Sequence, residues 1–224
     1  MQKSLVKVSA AIIDLRGNGG GDDTIGLQLA WIFFGKNYRY SLSIQHERKT
    51  AETQALYTNM FGYRIAKDLS EGKTSDEFTM KGYRDRKVKF DLAVAEESDG
   101  YSSNDQSTYQ FNGKLNKLHE PFEKPIYILM DQKCASSCES TIDAFEFYPK
   151  AKRIGENTAG FIHFGNVSPA VLPNSKIMIQ IGTHFTEYFD KRFIEKIGIK
   201  PDVQLSEGTD ALTYALQIFE KEGT

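Results

Sequence analysis

Cysteine, tryptophan and histidine are scarce in this chain of 224 residues: two, one and four copies respectively. The two cysteines, Cys134 and Cys138, have no second pair and no neighbouring histidine with which to build a zinc site. A disulfide between them would have to cross a predicted helix start, which is awkward geometrically, so both are read as small packing residues. On that reading they do not fix the redox compartment. Charge of one sign is also missing: 28 Lys and Arg stand against 30 Asp and Glu, a net charge of −2. That balance gives no electrostatic case for nucleic acid or an anionic membrane surface. No apolar run approaches the ~20 residues needed to cross a bilayer. Met1-Gln2-Lys3 leads into a short strand without an apolar stretch and cleavage site behind it, so no signal peptide is read here.

What remains is ordinary globular material, with 40% hydrophobic and 26% charged residues and enough length for one sizeable core. Val6 to Leu15 reads as a buried strand broken by Gly17-Asn18-Gly19-Gly20-Gly21. Asp22, Asp23 and Thr24 offer N-caps for an amphipathic helix through Leu27, Trp31 and Phe33, ended by Gly35. Tyr38 to Ile44 alternates like a strand. Between 47 and 120 the pattern weakens, and Ser98 to Asp105 looks like an exposed loop. This stretch is expected to be a variable insertion with one helix and some strand, packed on a core formed by 1–46 and 121–224. Regularity returns with a strand at 126–131, a helix at about 137–147 and a short strand near Arg153-Ile154. A loop at 155–166, strands at 167–172 and 176–183, and a helix through Ala211, Ala215 and Phe219 follow. Strands alternating with helices predict an α/β fold with parallel pairing.

Two loops carry the chemistry. Cys134-Ala135-Ser136-Ser137-Cys138-Glu139 follows the apolar run Ile126 to Met130, so a strand ends, turns through small residues and enters a helix. A serine there is presented on a rigid edge beside free helix N–H groups, as a nucleophile needs. The plainer reading is a helix cap, since Glu139 completes a capping box with Ser136, although Ser137 could cap instead. The glycine loop is not a phosphate cradle. No Gly-Lys-Ser/Thr follows Gly21, and the third glycine of a dinucleotide fingerprint would fall on Asp22. It is either a tight turn or a backbone cradle such as an oxyanion hole. No motif in the chain calls for a metal or other cofactor.

Four segments in order resemble the tail-specific, or C-terminal processing, serine peptidases. Asp14-Leu15-Arg16-Gly17-Asn18-Gly19-Gly20-Gly21 resembles the family's D-L-R-x-N-x-G-G, and Cys134 to Glu139 resembles its S-A-S-A-S-E. Gly155-Glu156-Asn157-Thr158-Ala159-Gly160 resembles G-E-x-T-x-G, and Glu195 to Asp202 resembles the closing E-x-x-G-[IV]-x-P-D. The resemblance covers roughly residues 8–21 and 125–204 and implies a crotonase-like core of repeated strand-strand-helix units. It also implies a peptidase working through an acyl-enzyme on Ser136, with a peptide or protein substrate. Two converging N–H donors, from Ser137 and from Gly20 or Gly21, would form the oxyanion hole.

One departure matters for mechanism. The lysine that serves as general base in the bacterial processing branch is here Phe161, which cannot take a proton. The chain therefore resembles the branch of tricorn core domains and retinoid-binding relatives, in which an upstream histidine activates the serine and a glutamate, matched by Glu195, supports the site. No histidine precedes Ala11, so the expectation is a fragment lacking an N-terminal segment, nearly inactive alone. Of His46, His119, His163 and His184, only His163 is placed near Ser136 by the motifs, as a substitute base or a core histidine. Two other classes stay open: a catalytically silent relative binding peptide or a hydrophobic ligand, and a crotonase-like acyl-CoA enzyme. By resemblance the compartment would be periplasmic, secreted or cell-surface.

Overall fold

β1 (Ala11–Asp14), β4 (Ile126–Met130), β5 (Ala151–Gly155) and β10 (Val203–Gln204) form one sheet in the order β1-β4-β5-β10. The computed structural model from which this is drawn describes residues 7–38, 43–105 and 120–222. All three pairings are parallel, with Asp14 opposite Leu129, Met130 opposite Gly155, and Val203 opposite Ile154. The loops that leave β1, β4 and β5 therefore emerge along one edge of the sheet.

β4 reads as an uninterrupted apolar run because both of its faces are covered, and all five residues are buried. Ile126, Ile128 and Met130 face α1 (Asp23–Phe34) and α4 (Ser137–Ala144), where they pack with Leu27, Ala30, Phe33, Ile142 and Phe145. Tyr127 and Leu129 face the other way, onto Ala211 and Ala215 of α5 (Ala211–Glu222). Period-two alternation thus assigns one strand to two cores. As the sequence predicts, α1 starts with Asp22 accepting the Thr24 N–H at 3.0 Å and stops at Gly35.

The described residues divide into two compact units. The first comprises the described residues among 7–43, 120–163 and 188–222, within which the parallel sheet, α1, α4 and α5 lie. The second comprises 44–105 and 164–187, so the later segment folds with the middle region. It holds α2 (Ala51–Ser70) packed on α3 (Glu77–Ala95), and a sheet ordered β3-β2-β9-β6. Those strands are β3 (Tyr101–Asp105), β2 (Ser43–Arg48), β9 (His184–Tyr188) and β6 (Phe164–Gly165). β7 (Ser168–Val171) and β8 (Met178–Ile181) add an antiparallel hairpin. Arg86 ties this unit together: its guanidinium lies 3.6 Å over the Tyr57 ring and donates to Glu47 at 2.5 Å.

Three expectations need correcting. The middle region carries two long helices, not one. Ser98 to Asp105, expected to be an exposed loop, forms β3 from Tyr101 onward while staying exposed; of the strand expected at 38–44, residues 39–42 lie outside the described residues, as does His119. And Cys134 is bonded to Cys138 as a disulfide, with their Cα atoms 5.4 Å apart. The bridge fits because Cys134 precedes the helix, which frees its backbone to bring the two Cα atoms within normal bridging distance.

Candidate active site

α4 begins where β4 ends, and its N-cap, Ser136, has φ 56° and ψ −118°. A left-handed serine is uncommon and is held here by its surroundings. Its N–H donates to Glu139 Oε2 at 3.0 Å, and its residue is half-buried, outside the packed core. The predicted capping box is therefore formed, but its glutamate does far more than cap. Glu139 is fully buried, and its Oε2 also accepts the Phe161 N–H at 2.8 Å. Oε1 accepts the Thr158 hydroxyl at 2.5 Å and the Gly160 N–H at 2.8 Å. Four donors converge on one carboxylate, which is how a buried charge is made tolerable.

The glycine loop is stitched to the same turn. Asn18 O accepts the Ala135 N–H at 3.1 Å, Asn18 Oδ1 accepts the Gly20 N–H at 3.0 Å, and the Ser137 hydroxyl donates to Gly21 O at 2.6 Å. Asp131 fixes the entry to the loop by accepting the Gly17 N–H at about 3 Å. Gly20 has φ 105°, and a Cβ there would stand 2.9 Å from both Ser136 Cβ and Ala135 O. Only glycine permits that conformation and that approach. Ser136, Ser137, Gly20 and Gly21 are thus neighbours at one sheet edge.

The other two predicted residues meet each other. Glu195 Oε2 accepts the His163 backbone N–H at 3.1 Å, so its carboxylate holds the chain two residues past Phe161. His163 is buried, stacked on Phe193 with ring centroids 4.5 Å apart and edge-on to Tyr188 at 5.4 Å. Its Nε2 accepts the Ile194 N–H at 3.0 Å, so that lone pair is already engaged. This bonding is that of a core histidine. The side chain of Phe161 is 55% exposed.

The two closing motifs interlock. Thr158 Oγ1 accepts the Ile199 N–H at 2.7 Å, and Lys196 N–H reaches Gly160 O at 2.8 Å. Asp202 accepts both the backbone N–H and the guanidinium of Arg153, and Arg16 binds Asp14 and Asp210. These charges brace the sheet ends. Behind α4, Asp143 accepts the Tyr188 hydroxyl at 2.5 Å and pairs with Arg192 at 3.2 Å. Burial pushes the Asp143 carboxyl up to about 6, against the opposing pull of Arg192 and the Tyr188 hydroxyl. Burial likewise raises the Tyr188 phenol, and the neighbouring Asp143 charge adds to it. Sequence reasoning caught Glu139 only as a cap; its bonds to 158–161 and the Asp143 network span distances that spacing cannot reveal. Among the described residues no group of three or more His, Cys, Asp or Glu could hold a metal ion.

A serine at the C-terminal edge of a parallel sheet, at a helix start and against a glycine loop, defines an α/β protein with a hydroxyl set beside a glycine-rich backbone loop. The model of peptidase family S41 matches residues 1–205, and the chain belongs to that family. No curated protein matches the sequence. Among solved structures, a candidate peptidase from Parabacteroides merdae has a TM-score of 0.56 at 13% identity, covering 95% of this chain and 52% of that one. A lipoprotein from Streptococcus agalactiae has a TM-score of 0.51 at 16% identity, covering 98% and 58%. Mature CPAF complexed with lactacystin has a TM-score of 0.54 at 17% identity, covering 91% and 41%. At these identities the likeness establishes the fold, and the chain spans about half the length of the structures it matches.

Proposed function

We propose that this chain is catalytic-domain material of a serine peptidase that hydrolyses peptide bonds through an acyl-enzyme on Ser136. The observation that carries the reading is the contact between Gly20 and Ser136, which sets a donor-rich loop against the serine at a helix start. In this reading the Ser136 oxygen attacks the scissile carbonyl. The Ser137 N–H, with that of Gly20 or Gly21, receives the developing negative charge. The Ser136 N–H is spoken for by Glu139 and the Gly20 N–H by Asn18 Oδ1, which favours Ser137 and Gly21 as the donors. Glu195 acts as a positioning residue through the backbone of His163, not as a nucleophile. The general base is assigned to a histidine of an upstream segment, because Phe161 replaces the lysine and the His163 Nε2 is engaged.

A second reading, a catalytically silent relative that binds peptide in the same place, is favoured by the same two observations. A serine hydroxyl without a base is a poor nucleophile at neutral pH. The test, on the protein extended by the upstream segment that this reading requires, is covalent labelling by a fluorophosphonate with the site read by peptide mass spectrometry, alongside hydrolysis of casein. Labelling confined to Ser136, slow casein cleavage and loss of both in Ser136→Ala are expected of the peptidase. Peptide binding with no labelling at any protein concentration would establish the silent relative.

A further inference from the structure

The disulfide encloses the proposed nucleophile. Cys134 and Cys138 close a ring of five residues with Ser136 at its centre, and both cysteines are fully buried. Each half of the ring is anchored to a different part of the site. The Cys134 carbonyl accepts the Ala159 N–H at 2.9 Å, from the segment that Glu139 binds, and the Ala135 N–H is held by Asn18 of the glycine loop. On the other side, Cys138 Sγ lies 3.6 Å from Leu15 O, at the end of β1. A disulfide sulfur has no proton to donate, so in the oxidised protein this is a packing contact. A thiol at the same position would have that carbonyl as its acceptor. The pocket is therefore furnished for both redox states.

We propose that the Cys134–Cys138 bridge is a redox-controlled clasp on the Ser136 turn, opened by a dithiol reductant and closed by a disulfide oxidant. The idea rests on the peptidase reading for its consequence, but not for the clasp itself. In the opening step a reductant thiolate attacks one cysteine sulfur, forming a mixed disulfide and expelling the other cysteine as a thiolate, which takes up a proton. The second reductant thiolate then attacks its own sulfur in the mixed disulfide. Two cysteine thiols and one oxidised dithiol result, a two-electron exchange. Because both sulfurs are buried, attack requires local opening of the turn, so exchange is slow while the ring is packed. Once reduced, the left-handed Ser136 keeps its bond to Glu139 but loses the covalent ring. A displacement of about 1 Å at a nucleophile costs on the order of 100-fold in rate.

The experiment compares the purified protein, extended by the upstream segment that supplies the base, before and after dithiothreitol, with thiols counted by alkylation and intact mass. Two readouts are taken: the rate of fluorophosphonate labelling at Ser136, and amide hydrogen exchange across 135–139 and 159–161. Reduction is expected to expose two alkylatable thiols, speed exchange in both segments and slow labelling roughly 10- to 100-fold. Reoxidation should reverse all three. The double variant Cys134→Ser/Cys138→Ser should sit at the reduced values and ignore the reductant. Unchanged exchange on reduction overturns the clasp, as does a chain that keeps two free thiols under oxidant. So does a reductant effect on the double variant equal to that on the native chain. Should the variant fail to fold, the native redox pair decides alone. Exchange that responds while Ser136 labels in neither state would leave the clasp standing and refute the peptidase reading.

Discussion

Glu139 meets four donors with two oxygens, in a place water does not reach. Replacing it by glutamine keeps the shape but turns one acceptor into an amide donor facing donors. Glu139→Gln is expected to cost about 3 kcal/mol in urea unfolding, as the loss of a buried, hydrogen-bonded charge does. Asp143 gives a pH signature of the opposite kind. Its folded carboxyl titrates at about 6 against an ordinary 3.8, so between those values the folded state binds the proton and the unfolded chain does not. Its ionised form is therefore a burden on the fold above pH 6, relieved as pH falls from about 6 towards 4. Asp14, Asp202 and Asp210 have lowered values and pull the other way, losing their contribution as pH falls through the acid range. The Asp143 part is isolated by difference: stability of Asp143→Asn minus that of the native chain should shrink as pH drops from 7 to 4.5. The expected change is about 1–3 kcal/mol. A difference that stays constant would contradict the assignment.

At the scale of elements, α4 is the organiser. Glu139 and Asp143 stand four residues apart on one helical face, one reaching 158–161 and the other reaching Tyr188 and Arg192. The loops they hold are locked together by Gly198, whose φ of 80° and lack of side chain let it approach Thr158 O; a Cβ would fall 2.0 Å from that oxygen. Gly198→Ala is expected to lower the free energy of urea unfolding by about 3 kcal/mol and to raise amide exchange at 158–161. The sheet edge, α1 and α4 were readable because each pairs an apolar run with small or capping residues, as at Ile126 to Met130 followed by Ser136. The middle region was not. In α3 only Thr79 and Ala93 are buried, so it has no apolar stripe for a period to reveal. Motif spacing singled out Ser136 and Gly20, which lie side by side, and Glu195, which reaches only the backbone of His163. The disulfide escaped because a bridge across a helix start reads as awkward, whereas the turn through Ser136, at φ 56°, leaves the two Cα atoms 5.4 Å apart.

For the molecule as a whole, the second unit is built by two departures of the chain from the first, at 44–105 and at 164–187. The later departure starts immediately after His163 and returns at Tyr188, and those two rings touch at 5.4 Å between centroids. Its far end is the exposed turn Pro173-Asn174-Ser175 between β7 and β8. Six Gly/Ser residues inserted between Asn174 and Ser175 double the connection 172–177 and should cost only about 0.6 kcal/mol. Urea unfolding of that variant checks it, and the same insertion after Thr158 should abolish folding. Consider what the ring contact means for how such a chain changes over time. A segment whose two ends are already side by side can be lengthened, shortened or exchanged with no change in the distance it must bridge. The His163–Tyr188 contact is thus a natural splice point: the segment between them can be rewritten while Ser136, its helix and its sheet are inherited untouched.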